Sequence, residues 1–243
     1  AAEIAIRQEN WNRASRDIGR LLESPEGEVT GTLLAGSLRV ARGDAAGARE
    51  WFARAREMNP DSSAPLMGLV RAHLAENDVE GALALVREET AQRPDNPLAH
   101  LLTAQLERRL DRTQAAVAAY RRAIDLQPEW ATPYRELAAL HEAAGDPRSA
   151  MQVLDAGSRA GAAPEDLLLR KAFVQQRSDD VEGAIATYAR MLDAGVETDV
   201  VVNNYAALVA DFAPKDTARL ERARALAERF NTSNEAYFVD TLG

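Results

Sequence analysis

The chain has 243 residues, of which 29 are basic and 38 are acidic, so its formal net charge is −9. Such an acidic chain is a poor candidate for non-specific nucleic-acid binding, and the absence of cysteine excludes disulfides, thiolate metal sites and cysteine nucleophiles. No uninterrupted apolar run approaches the roughly 20 residues of a membrane span, so we predict no transmembrane segment.

A period of 34 residues runs through most of the chain. Counted from Ala116 it returns alanine at Ala48, Ala82, Ala150 and Ala184. A fixed period of this length predicts stacked pairs of helices, in which helix A is followed by a tight turn and helix B. We place the end of a partial repeat at 1–28, full repeats near 29–62, 63–96, 97–130, 131–164, 165–198 and 199–234, and the start of a truncated repeat at 235–243.

The first predicted element, Trp11–Glu23, is a lone helix B that closes an earlier repeat. Each full repeat then has helix A near positions 1–14 and helix B near positions 17–30. Glycine and asparagine at the turn tolerate the left-handed conformation that ends a helix, and the following aspartate caps the next one. Proline stops helix B at Pro60, Pro94 and Pro128.

The last repeats depart from this pattern. In the repeat from Glu165, Lys171, Met191 and Val196 occupy positions where other residue types are expected. A short insertion near 212–217 delays the last helix B to Arg219–Phe230. We then expect a loop at 231–234 and an unfinished helix A at 236–243, so the chain has the character of an excerpt.

The residues at fixed positions resemble the tetratricopeptide repeat. The repeat from Val29 supplies the small, large and stop residues of that pattern, namely Gly36, Gly43, Ala48, Phe52, Ala55 and Pro60. The resemblance covers nearly the whole chain. It implies an all-α fold, a right-handed α-solenoid superhelix of stacked helix-turn-helix repeats that forms a single domain over 1–243.

A narrower resemblance rests on the closing residues. Three runs are similar to later repeats of the bacterial tetratricopeptide lipoproteins that accompany exosortase and exopolysaccharide systems. They are 203–206, Asn-Asn-Tyr-Ala, 223–227, Ala-Arg-Ala-Leu-Ala, and 240–243, Asp-Thr-Leu-Gly. This resemblance implies a bacterial envelope scaffold, periplasmic or membrane-anchored rather than cytoplasmic.

No motif for catalysis or a cofactor is present. His73, His100 and His141 fall at packing positions of helix A, and we interpret them as half-buried structural residues. There is no metal-binding His-Glu-x-x-His and no glycine-rich phosphate loop. We therefore predict a protein without enzymatic activity, metal or cofactor. The triplet 231–233, Asn-Thr-Ser, matches a glycosylation pattern, but we interpret it as a helix stop and cap.

The predicted binding surface is the concave groove lined by helix A in this family. Leu101, Leu169 and Phe173 are its apolar anchors, and arginine forks suit carboxylates bidentately. The partner-binding residues are Arg71, Leu101, Gln105, Arg108, Arg109, Arg135, Leu169, Arg170, Phe173, Arg177, Asn203 and Asn204. The alternative is that these arginines pair with acids of the chain itself and serve only to solvate the face.

These observations predict a non-catalytic interaction scaffold or adaptor that binds a protein or peptide of acidic character. One alternative is an envelope scaffold for exopolysaccharide or protein-sorting machinery. The other is a structural spacer, or a module that self-associates through its open repeat ends and holds no peptide.

Overall fold

The structure is a computed structural model that describes residues 1–162 and 164–228. Every regular element within those ranges is an α-helix, and the chain divides into two compact units, Ala1–Leu126 and Gln127–Gly243. The predicted loop at 231–234, the glycosylation-like triplet and the truncated repeat at 235–243 lie outside the described residues.

In unit 1, Ala1–Leu126, helices that follow each other in the chain pack together as pairs of a helix A and a helix B. They are α1 Ala2–Arg7, α2 Trp11–Leu22, α3 Glu28–Ala41, α4 Ala45–Met58, α5 Ser63–Ala75, α6 Val79–Gln92, α7 Pro97–Arg109 and α8 Thr113–Leu126. Within its described residues, unit 2 continues the pattern with α9 Ala131–Ala143, α10 Pro147–Arg159, α11 Pro164–Arg177, α12 Val181–Asp193, α13 Asp199–Phe212 and α14 Thr217–Ala227. The predicted all-α class of stacked helix pairs is confirmed.

Turn residues and caps set the helix boundaries as the sequence predicts. Gly43 and Gly145 end helix A at φ +79° and +74°, values in the left-handed region that glycine adopts without steric cost. The aspartate that follows each turn accepts a backbone N–H bond from the third residue of helix B, at 2.9–3.0 Å. These caps are Asp44, Asp78, Asp146 and Asp180.

Small residues allow helices A and B to approach closely. The periodic alanines at Ala48, Ala82 and Ala116 are fully buried. The ring of Phe52 on α4 packs against the backbone at Gly36 of α3, where a Cβ would lie 2.7 Å from Cε1 of the ring. Any larger residue there would force the two helices apart.

Each unit has its own apolar core. In unit 1 one cluster joins α1, α2 and α3 around Ile18, a second joins α4 and α5 around Phe52, and a third joins α5, α6 and α7 around Leu83. In unit 2 a cluster joins α11 through α14 around Tyr188 and Tyr205. Burial of side chains of this size contributes about 1.5–3 kcal/mol each.

A polar side chain on helix A pairs with the cap of helix B in several repeats. The pairs are Arg39 with Asp44, His73 with Asp78 at 2.8 Å, and Gln175 with Asp180 at 3.0 Å. The pair before α8 has the opposite polarity. Here Glu107 stands on helix A, only 3% exposed, and Arg112 stands at the cap position with 3.6 Å between the charged atoms. Arg112 offers no acceptor to the first turn of α8.

Two departures from the sequence interpretation have clear causes. The sequence predicted that the helix at Trp11–Leu22 is a lone helix B. The structure shows a pair instead, because the short helix α1 packs Ala2 and Ala5 against Ala14 and Ile18 of this helix. In the irregular repeat from Glu165, Asp155 of α10 accommodates Lys171. The Nζ atom of Lys171 donates a hydrogen bond to Oδ1 of Asp155 at 2.7 Å.

Candidate partner-binding faces

The side chains predicted to bind a partner lie on the first helix of each pair. We define the A-helix face of unit 1 as the solvent-exposed surface of helices α3, α5 and α7. The A-helix face of unit 2 is the solvent-exposed surface of helices α9, α11 and α13. Polar contacts join neighbouring A helices in each unit: Arg71 Nη2 donates to Ser37 Oγ at 2.8 Å in unit 1, and Arg170 forms an ion pair with Glu142 in unit 2.

The A-helix face of unit 1 contains a hollow of ≈ 300 Å³ between α1, α3 and α5. Ile6, Leu34 and Val40 form its apolar lining, and Arg7 and Arg71 are the cations at its edge. The guanidinium of Arg71 also lies 5.7 Å from the centre of the Phe52 ring, so this side chain is held by a hydrogen bond and a cation–π contact.

The A-helix face of unit 2 combines arginines with an aromatic ring. Arg170, Phe173 and Arg177 lie on one side of α11, because spacings of three and four residues return a side chain to the same helix face. The ring of Phe173 is half-buried and Arg177 is exposed. Arg177 and Arg135 of α9 have no hydrogen bond or ion pair with any residue that the structure describes.

The remaining predicted site residues differ in how much surface they offer. Leu101 is only 4% exposed, so its side chain is not accessible to a partner and the prediction of an apolar anchor at this position is wrong. Leu169 is half-buried against the core of unit 2. Asn204 donates from Nδ2 to the Val200 carbonyl of its own helix at 2.8 Å, whereas Asn203 and Gln105 are half-buried.

The sequence left open whether the arginines are available or paired within the chain. Arg170 follows the second interpretation, because Glu142 neutralises it. Arg71 is held by a hydroxyl and a ring rather than by an acid. Arg109 of unit 1 is exposed with no partner among the described residues, as are Arg135 and Arg177 of unit 2. Arg108 is also exposed, but it is not free, because it interacts with another group of the protein.

Sequence reasoning missed Arg7 and Ile6 at the unit 1 hollow because it did not predict α1. A signal for this helix was present. One more step of 34 residues back along the chain places Ala2 at the small-residue position 8 and Asn10 at the cap position 16. Asn10 does cap α2, since its side chain accepts the backbone N–H of Arg13 at 3.2 Å.

The three histidines are half-buried, as predicted, and two of them have structural partners. His73 Nδ1 lies 2.8 Å from Asp78 Oδ2, and His100 Nε2 lies 2.9 Å from the Pro94 carbonyl oxygen. Among residues 1–162 and 164–228, no three histidine or carboxylate side chains gather to hold a metal ion. None of the helices in these ranges is both long and apolar enough to cross a membrane.

Burial raises the pKa of the Tyr188 hydroxyl well above its ordinary value, because the ionised phenolate would be poorly solvated there. The hydroxyl donates a hydrogen bond to Oε1 of Gln176 at 3.1 Å. Tyr188 is therefore a packing residue of α12 whose polar atom is satisfied, rather than a group prepared to transfer a proton.

Comparisons with known proteins agree with this architecture. Two family models, both described as tetratricopeptide repeat, match residues 1–63 and 39–106. No curated protein matches the chain by sequence.

Solved structures with the same fold are similar over most of the chain. The C-terminal part of a tetratricopeptide repeat-containing protein from Cytophaga hutchinsonii aligns with a TM-score of 0.64 and 9% identity, covering 100% of this chain and 98% of that one. PilF of Pseudomonas aeruginosa aligns with a TM-score of 0.55 and 15% identity, covering 87% and 95%. A chain of the APC/C hetero-tetramer Cut9–Hcn1 aligns with a TM-score of 0.53 and 13% identity. The alignment covers 99% of our chain but only 47% of that one. At these identities the likeness concerns the fold alone.

Proposed function

The chain is a tetratricopeptide repeat protein, and from this premise we propose that it is a non-catalytic scaffold that binds an acidic segment of another protein on its A-helix faces. Repeats of this family generally act as protein-interaction scaffolds rather than as enzymes. The finer proposal concerns the surface that is used and the chemistry of the partner.

The observation that carries this proposal is the arrangement on the A-helix face of unit 2. Arg135 and Arg177 are exposed and have no partner among the described residues, although the chain as a whole is strongly acidic. Phe173 offers a half-buried aromatic surface on the same side of α11 as Arg177. A peptide that has carboxylates around an apolar side chain complements this face.

The mechanism is recognition by a preformed surface. The helix pairs fix the backbone and the half-buried ring before binding, so the loss of conformational entropy is largely confined to the exposed arginine side chains. Each guanidinium can bind a carboxylate through two parallel hydrogen bonds, and the ring of Phe173 covers an apolar side chain. Arg170 does not take part directly, because Glu142 already occupies it.

The test selects peptides from a random display library on the purified chain and on the variant Arg135→Glu/Arg177→Glu. We expect the native chain to enrich sequences rich in aspartate and glutamate with a large apolar residue. We expect the variant to lose those sequences, because removal of a charge-assisted bond costs about 1.5–3 kcal/mol and reversal of the charge adds repulsion.

The matched control is Arg159→Glu/Arg190→Glu, which makes the same change of charge at exposed arginines of the B helices α10 and α12. This control should retain the selected peptides. Equal loss in both variants would show that only net charge matters, and enrichment of peptides without acidic residues would contradict the proposed chemistry. Binding should also weaken as salt increases.

The envelope role implied by the narrower resemblance is a second, more specific proposal. The residues of its first run lie on α13, where Tyr205 is buried in the core, and those of its second run lie on α14, where Ala223 and Ala227 are buried. Its last run, 240–243, lies outside the described residues. Capture of exopolysaccharide-assembly proteins from a source lysate by the native chain, but not by Arg135→Glu/Arg177→Glu, would support it. Self-association is the competing proposal, and a mass that rises with concentration in sedimentation would favour it.

A further inference from the structure

A second recess lies on the opposite side of α3 from the hollow of the A-helix face. It has a volume of ≈ 400 Å³ and opens between α2, α3 and the first half of α4. Ile18 and Leu22 of α2, with Ala35 and Leu38 of α3, form its apolar floor, and the half-buried indole of Trp51 forms one wall. Recesses of this size and composition are typical of sites for small ligands.

The recess exists because α2 has a glycine where the other B helices have a side chain. Gly19 occupies position 25 of its repeat, and the same position carries Ala53, Arg87, Arg121, Asp155 and Ala189 in the repeats that follow up to residue 198. A Cβ at Gly19 would meet no atom within 4 Å, so the space above this residue is open. Glycine inside a helix is unfavourable, and here its effect is to keep the recess empty of protein atoms.

The rim of the recess carries one available positive charge. Arg39 and Asp44 both line it, but they neutralise each other in an ion pair. Arg54, whose guanidinium lies 5.9 Å from the centre of the Trp51 ring, is paired with Glu28 at 2.8 Å. Arg42 is exposed and forms no hydrogen bond or ion pair with a described residue, although its charge contributes to lowering the pKa of Asp44, so the three rim charges leave a net charge of +1.

We propose that this recess is a binding site for a small amphiphilic carboxylate. The aliphatic chain of the ligand covers Ile18 and Leu38 beside the indole of Trp51, and its carboxylate pairs with Arg42 at the rim. The site uses none of the residues assigned to partner binding on the A-helix faces, so it stands or falls independently of the proposed scaffold function.

The test follows the fluorescence of Trp51 while decanoate is added below its micelle concentration. The full chain carries Trp11→Phe and Trp130→Phe, so that Trp51 is the only tryptophan. We expect a saturable change in emission. In the same background Gly19→Leu should abolish the change by filling the recess, whereas Ala53→Leu, at the corresponding exposed position of α4, should leave it intact.

The charge assignment has its own arm, which does not depend on how Gly19→Leu folds. Arg42→Gln should weaken decanoate binding about tenfold, as expected for the loss of one charge-assisted hydrogen bond, and should leave decanol binding unchanged. Circular dichroism checks that each variant retains its helices. No saturable change with decanoate, an unaltered response in a folded Gly19→Leu, or equal effects of Arg42→Gln on decanoate and decanol would overturn the proposal.

Discussion

Glu89 is a buried carboxylate at a position where the repeat pattern has alanine. It is 2% exposed on α6 and is held by Arg56 Nη2 at 2.5 Å, by Asn96 Nδ2 at 3.1 Å and more loosely by Arg93 at 3.7 Å. This cluster joins α4, α6 and the start of α7. Because an isolated buried charge is costly, the cluster is stable only while its partners are complete.

We predict that Arg56→Met lowers the free energy of unfolding by about 3 kcal/mol, because it leaves Glu89 without its closest counter-charge. Adding Glu89→Met to that variant should recover most of the loss, since a well-packed apolar pair can replace a buried ion pair. Urea unfolding of the two single variants and the double variant measures the coupling. Additive losses would show that the two side chains do not act as a pair.

The charges of the A helices show which residue properties the sequence can and cannot predict. The repeat frame assigned Arg170 and Arg177 to one face of a helix, yet it could not show that Glu142 neutralises only the first of them. The reversed pair of Glu107 and Arg112 could not be predicted from the sequence either. Such pairing depends on distances between side chains in different helices, which a one-dimensional pattern does not contain.

At the scale of the helix, the aspartate caps link stability to pH. Hydrogen bonds to the carboxylate lower the pKa of three caps: chiefly the backbone N–H of Gly47 for Asp44, His73 for Asp78 and the Ser149 hydroxyl for Asp146. A pKa lower in the folded than in the unfolded chain means that the stabilisation is present above the unfolded value of about 4. It is lost as pH falls through the folded pKa.

We therefore predict that Asp44→Asn/Asp78→Asn/Asp146→Asn is less stable than the native chain at neutral pH, and that the difference shrinks toward about pH 3. Asparagine still caps a helix but carries no charge to lose. Urea unfolding followed by circular dichroism at several pH values measures the difference. The control is Asp95→Asn in an exposed link between helices, which should show no such trend. A difference that stays constant with pH would contradict the linkage.

The glycines of the helices provide a second prediction, with opposite signs at two sites. Gly19→Ala should stabilise the chain by about 0.5–1 kcal/mol, because alanine is the better helix former and the new methyl group meets open space. Gly68→Ala should destabilise it by about 1–3 kcal/mol, because the methyl group would overlap the buried Phe52 ring. Thermal unfolding compares them. Stabilisation at both sites would mean that helix propensity, not packing, decides them, and destabilisation by Gly19→Ala would contradict the open space above that residue.

The helices themselves were largely predictable, and the exception is instructive. Proline at 60, 94 and 128 and the capping aspartates are local signals, so they set the ends of α4, α6 and α8 and the starts of four B helices. Helix α1 is only six residues long and carries too few apolar positions to show a period. Packing against α2 stabilises it, and that contact was visible only through the frame of the repeat.

At the scale of the whole molecule, the 34-residue period predicted the class of fold because every repeat solves the same packing problem with its neighbours. It did not predict the exposure of the proposed partner-binding residues equally well. Leu101 was assigned to the surface by its position number, although the side chain is buried, whereas the recess above Gly19 was found only in the structure. Position within a repeat specifies a helix face, but exposure depends on what the neighbouring helices place above it.

The apolar clusters of unit 1 lead to a prediction for the isolated unit Ala1–Leu126. Its clusters around Ile18, Phe52 and Leu83 are built from residues of this unit alone, and the cut falls just before Pro128, in the link that ends α8. In repeat proteins stability is approximately a sum over units and neighbouring contacts, so the fragment should fold by itself. We expect a helical circular dichroism spectrum, a cooperative urea transition, and a denaturant slope smaller than that of the full chain, because less surface is exposed on unfolding.

A fragment with the spectrum of a random coil would show that contacts beyond residue 126 are required for unit 1 to fold. A helical spectrum without a cooperative transition would show that its three clusters do not form one folding unit.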